Sequence, residues 1–204
     1  ASSQRVDPRR VDPRRVDPRR VDLNRRLVAY RPGDARDAEH HGRMQDLAVN
    51  AQGDPFSRKH FDPGHFTASA FVLAPGGDEL LLVLHAKLGR WLQPGGHVDP
   101  GDRDVLAAAR RELAEEVDLT DLALARGHEG VFDLDVHSIP EFGTEGRHEH
   151  FDLRFLFEAT GRHFKAGSDA LQAAWVPLGE VQELETDESV LRAIRRILAR
   201  RSLG

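Results

Sequence analysis

Cysteine is absent from all 204 residues, which excludes disulfides and thiolate metal sites and leaves stability to a packed core. No apolar run is long enough to span a membrane and the start carries no hydrophobic signal segment, so a cytoplasmic protein without a membrane partner is expected. Aromatic residues make up only 6% of the chain, but a hydrophobic share of 39% suffices for a sizeable core. The length accommodates one domain with an extension.

What is present begins with a repeat: Arg5-Val6-Asp7-Pro8-Arg9 recurs over Arg10 to Arg14 and Arg15 to Arg19, then decays through Arg20-Val21-Asp22-Leu23. The period is too short for a solenoid unit, and proline with few large apolar residues predicts an extended, disordered tail over 1–25. Alternating aspartates weaken its basic field, so no specific nucleic-acid partner is expected, and loss of residues 1–22 is expected to leave catalysis intact. Residues 26–62 read as a helical extension, with a helix from Gly33-Asp34 to about Ala51 carrying Met44, Leu47, Ala48 and Ala51 on one side. Residues 63–204 form the remaining domain. A homodimer is compatible with this organisation.

Within that domain, Phe66 to Ala74 and Glu79 to His85 are runs of β-formers separated by the turn Pro75-Gly76-Gly77-Asp78. Gly130 to His137, His150 to Ala159 and Gln172 to Val176 read as further strands, and Thr186-Asp187 caps a last helix with Val190, Leu191, Ile194, Ile197 and Leu198 on one side. Another helix lies between these strand groups. It follows Gly95-Gly96-His97 and carries Leu106, Ala109, Leu113 and Val117 as its apolar stripe.

The opposite face of that helix holds Glu112, Glu115 and Glu116, which project together within about a third of its circumference. Three carboxylates so close repel one another, and a hard cation such as Mg²⁺ or Mn²⁺ relieves the repulsion. Arg111 stands beside Glu112, where it can orient a carboxylate and keep it ionised. Clustered carboxylates after a glycine turn suit phosphate chemistry.

The segment resembles the Nudix box, with Gly96, Arg111, Glu112, Leu113, Glu115, Glu116 and Leu119 at matching positions. The resemblance implies a Nudix-type α/β/α sandwich with a mixed sheet, and an enzyme that hydrolyses the diphosphate bond of a nucleoside diphosphate linked to another group. It also implies roles: Glu115, Glu116 and the Gly95 carbonyl as metal ligands, Glu112 as ligand or general base, Arg111 as its orienter. Two positions depart from the family pattern. Asp102 stands in place of the first Glu with one residue more before Arg111, and Asp118 replaces a glycine where a left-handed conformation is common.

Outside the box, alternation places His148, His150, Asp152 and Arg154 on one strand face, as pocket lining for a small-molecule nucleotide or as an exposed polar face. A zinc site is disfavoured there, because His-x-His alone supplies too few ligands. Glu141, Glu145 and Glu149 are further candidate metal ligands, and His97 either touches substrate or caps its loop. Trp91 is set either to stack on a base or to anchor packing, and Arg90 to hold a phosphate. Two rival readings are a non-catalytic nucleotide sensor of the same fold and an isomerase of isoprenoid diphosphates; the missing cysteine argues against the second.

Overall fold

The computed structural model describes residues 17–165, 167 and 170–201. In chain order the elements are α1 (Pro18–Ala29), α2 (Ala35–Asn50), β1 (Gly64–Leu73), β2 (Glu79–His85), β3 (Arg90–Leu92), β4 (Gly95–His97), α3 (Val105–Val117), β5 (Leu122–Leu124), β6 (Asp133–Ile139), β7 (His148–Ala159), β8 (Ala170–Pro177) and α4 (Glu188–Arg201). A short 3₁₀ turn, Val181–Glu183, precedes α4.

The strands form one mixed sheet in the order β3-β2-β1-β7-β5, with β4 on β1, β6 on β7 and β8 on β2. β1 and β7 run parallel over their whole common length, from Gly64 opposite Glu149 to Leu73 opposite Glu158, and every other pairing is antiparallel. β1 is buried at all ten positions because it has strands on both edges and helices on both faces. The turn between β1 and β2 is made by Gly76 and Gly77 at φ of 97° and 80°, a conformation open to glycine.

Two apolar clusters sit on the two sheet faces. One joins Phe66, Ala68, Ala70, Phe151, Leu153 and Phe155 to the α3 stripe Ala109, Leu113 and Val117, and also takes in Leu23 and Leu27 of α1 and Met44, Leu47 and Ala48 of α2. The other joins Phe71, Leu80, Leu82 and Leu156 to Val190, Ile194 and Ile197 of α4. Helices on both faces of a mixed sheet make the α/β sandwich that the family resemblance implies.

The N-terminal expectation needs correction. Residues 17–25, assigned to a disordered tail, are helical from Pro18 onward, while residues 1–16 lie outside the described residues. The last repeat supplies the start signal itself: Asp17 caps the helix through the Arg19 N–H at 2.9 Å, and proline occupies the first turn, where its missing N–H costs nothing. The decay of the repeat to Leu23, followed by Leu27, supplies apolar positions four apart, both buried. Helical contacts over the core outweigh the composition of the repeat.

Candidate active site on helix α3

The local sequence makes α3 begin and end where it does. Asp104 caps it, accepting from the Ala107 N–H at 2.8 Å, and the helix stops at Asp118, whose φ of 50° and ψ of 34° are left-handed. Asp118 thus adopts the conformation expected of the family's glycine, at a modest cost for a residue with a short polar side chain.

On the polar face, Arg111 gathers the carboxylates. Its Nη1 donates to Glu112 Oε1 at 2.9 Å and to Glu115 Oε2 at 3.0 Å, so both acids are drawn to one nitrogen. Its Nε and Nη2 donate to the two oxygens of Asp102 at 3.1 and 3.0 Å, and Nη2 also donates to the His97 carbonyl at 2.8 Å. Asp102 therefore anchors the guanidinium from the loop side, and the extra residue before Arg111 is absorbed without losing that contact. The Asp102 hydrogen bonds, with Glu112 beside them, raise the Arg111 pKa further.

Glu112 lies against the backbone of β4: a Cβ added to Gly96 would sit 2.6 Å from Glu112 Oε1 and 2.8 Å from Oε2. Only glycine leaves room for the carboxylate. Burial, opposed by Arg111 and reinforced by Glu115, raises the Glu112 pKa, which brings it nearer to the pH at which a general base works well. Glu116 is half-buried and Glu115 exposed on the same face. Glu112 and Glu115 meet at Arg111 beside the glycine backbone, with Glu116 on the same helix face, and an all-oxygen donor set of this kind fits Mg²⁺ or Mn²⁺ and suits no soft metal.

The remaining sequence-derived candidates divide. Arg154 is 2% exposed and wholly engaged, donating from Nε to Asp152 at 2.8 Å and from its Nη atoms to Asp135 at 3.2 Å and Asp133 at 3.5 Å. This corrects the expectation that it lines a nucleotide pocket or lies on an exposed polar face: the guanidinium is committed to a buried ion network. Arg192 of α4 joins the same network through Asp133 at 2.7 Å and Asp135 at 3.1 Å, and Arg196 through Asp133 at 2.6 Å. Burial favours the neutral acid, but Arg154, His137 and Arg192 together hold the Asp135 carboxyl well below the usual range.

Trp91 packs against the α4-side cluster, its N–H bonded to the Glu185 carbonyl at 2.8 Å and its carbonyl to the Thr186 hydroxyl at 2.5 Å, while Arg90 pairs with Asp187. The structure places both as ties between β3 and the start of α4. Glu149 pairs with Arg43 of α2. His148 and His150 do cluster, but with His65 of β1 and His97 of β4, two residues whose proximity depends on strand pairing. Within β4, Gly96 faces Glu112 and the next side chain, His97, turns to the other sheet surface.

Asp133 and Asp135 were missed from sequence, as was Ser69 of β1, whose hydroxyl donates to the Asp152 carboxylate at 2.8 Å. The two aspartates alternate on β6 and look like an exposed face until β7 is paired with it, Asp133 opposite Arg154 and Asp135 opposite Asp152.

A sandwich whose polar helix face presents Arg-oriented carboxylates next to a glycine strand defines the class: an α/β protein with an acidic, oxygen-rich helix face beside its sheet. A family profile described as NUDIX domain matches residues 63–197, and the chain belongs to the Nudix family, as a pyrophosphohydrolase whose family generally requires a divalent metal. Among solved structures, the fold is similar to a MutT protein from Methanosarcina mazei Go1 (TM-score 0.54, 18% identity, covering 67% of this chain and 94% of that one). It is also similar to a C. elegans Ap4A hydrolase binary complex (TM-score 0.51, 18% identity, 68% and 98%) and to the NUDIX domain of Shewanella oneidensis NrtR complexed with ADP ribose (TM-score 0.50, 19% identity, 68% and 88%). No curated protein matches the chain. No helix among the described residues is long and apolar enough to cross a membrane.

Proposed function

We propose that the protein hydrolyses a diphosphate bond in a nucleoside diphosphate linked to another group, with Mg²⁺ or Mn²⁺ held by Glu115, Glu116 and the Gly95 carbonyl. The observation that carries this reading is the Arg111 fork, which binds Glu112 and Glu115 together beside Gly96. When bound, the cation supplies charge neutralisation at the phosphate oxygens and raises the acidity of the attacking water. Glu112 takes the proton from that water, its basicity increased by burial. Arg111 holds Glu112 in one orientation, and Asp102 holds Arg111.

The test is turnover of a panel with either metal: nucleoside triphosphates, nucleotide sugars, dinucleoside polyphosphates and ADP-ribose. The last two enter because the C. elegans and S. oneidensis relatives carry those names or ligands. Glu116→Gln removes a ligand charge at nearly constant shape and is expected to lower kcat by about two orders of magnitude or more, with an unchanged melting curve. Near-wild-type turnover by this variant overturns the ligand assignment. Nucleotide binding without turnover of any substrate by the wild type makes the protein a sensor.

A further inference from the structure

Strand pairing collects imidazoles that the chain keeps far apart. His65 of β1 stands opposite His150 of β7 in the parallel ladder, and His148 lies two residues earlier on the same face. The ring centroids of His65 and His148 are 5.0 Å apart, those of His65 and His150 4.8 Å, and those of His148 and His150 5.3 Å. His97 stacks on His65 at 5.1 Å and His137 meets His150 edge-on at 5.5 Å.

Packing alone does not account for the ring nitrogens. His65 is fully buried, and its Nε2 has no hydrogen-bond partner, a costly state for a polar atom. Its Nδ1 is 3.2 Å from the His60 carbonyl, and the Nδ1 of His148 is 2.7 Å from the Gly146 carbonyl. A carbonyl only accepts, so each Nδ1 carries the proton and each Nε2 keeps a free lone pair. That is the tautomer of a metal-ligating histidine oriented by a backbone carbonyl.

We propose that His65, His148 and His150 form a second metal site, for Zn²⁺ or a similar borderline transition ion, distinct from the carboxylate site on α3. One ligand atom from each of the three lies within 4.8 Å of the others, and tetrahedral Zn–N bonds of about 2.0–2.1 Å require a separation of roughly 3.3 Å, so binding would draw the three rings closer together. Three imidazoles select zinc-like ions, whereas the glutamates of α3 select Mg²⁺ or Mn²⁺, so the two sites differ in ligand chemistry. The objection that His-x-His supplies too few ligands is met by His65, which comes from another strand. Three protein ligands leave a fourth position for a small donor, reached from the half-buried His150 side. The inference does not rest on the proposed hydrolysis.

The test uses the full chain stripped with chelator and titrated with Co²⁺, then Zn²⁺, in saturating Mg²⁺, read by visible absorption and calorimetry. One equivalent of Co²⁺ is expected to bind with the intense d–d bands of tetrahedral coordination and to be displaced by Zn²⁺. His150→Asn is expected to weaken that binding by at least about 100-fold, since even outer-shell changes cost 10–100-fold, while Glu116→Gln leaves it unchanged. Imidazole NMR of the wild type adds a readout free of variant folding: Zn²⁺ is expected to shift three histidine ring systems. Binding lost in Glu116→Gln but kept in His150→Asn, no equivalent bound in Mg²⁺, or unmoved imidazole signals each overturn the proposal.

Discussion

At Gly96 one added carbon would fall 2.6–2.8 Å from the Glu112 carboxyl group, the mobile end of a side chain, whereas at Gly95 it would fall 2.7 Å from the Ser69 backbone. The two neighbouring glycines therefore answer to different demands, one from the reacting groups and one from the sheet. Gly96→Ala is expected to keep the fold, swing Glu112 off Arg111 and lower kcat by about 100-fold, the scale of a misplacement near 1 Å. Steady-state kinetics beside a melting curve checks this, and full activity would mean that Glu112 tolerates displacement. The box residues were legible in the sequence because helical neighbours lie three and four apart, so Glu112, Glu115 and Glu116 share a face whatever the rest of the fold does. Asp102 was not legible in its role. Its contact with Arg111 spans the loop before α3, and only the loop's closure brings it there.

At the scale of elements, α1 decides how the N-terminus behaves. Leu23 and Leu27 are buried in the α3-side core, Asp17 caps the helix, and Tyr30 just beyond its end donates to Asp37 of α2 at 2.7 Å. Removal of residues 1–22 takes away the cap and the first turns and is expected to lower the melting temperature. Leu23→Ala within the full chain is expected to cost about 2–5 kcal/mol by denaturant titration, the usual range for a fully buried leucine. A truncated chain as stable as the full one would show that the Asp17 cap and the start of α1 contribute nothing to stability. The α2, α3 and α4 patterns, the β2 run and the Pro75-Gly76-Gly77-Asp78 turn all read directly from local spacing. The start of α1 did not, because two apolar residues in an arginine-rich repeat are too few to outweigh its composition until a core is there to receive them.

Across the whole molecule, the buried charges and imidazoles tie α4 to β6 and β7, and β1 to β7, and they set an acid limit on stability. The His65 pKa is pushed down to about 4 by burial, with His97 and His148 adding to it, against 6.5 when exposed. The unfolded chain then binds the proton more readily, so His65 supports the fold fully above pH 6.5 and loses that support as pH falls towards 4, by about 3 kcal/mol in metal-free protein. Asp135 is depressed in the folded state by Arg154, His137 and Arg192, so its contribution is complete above 3.8 and is lost only as pH drops below that value. Denaturant midpoints between pH 8 and 3 are expected to fall in two stages, the first beginning near 6.5. A midpoint flat from 8 to 5 would contradict the burial of neutral His65. By itself the sequence determined the order and kind of most elements, the cap of α2 and the acidic face of α3, because these follow from neighbours along the chain. Only the tertiary structure decided that β1 lies parallel to β7, and with it that His65 meets His150, that Arg154 is enclosed by Asp133, Asp135 and Asp152, and that Gly96 receives Glu112. Strand pairing joins segments whose separation along the chain carries no period, so its register is fixed by which faces the whole fold buries.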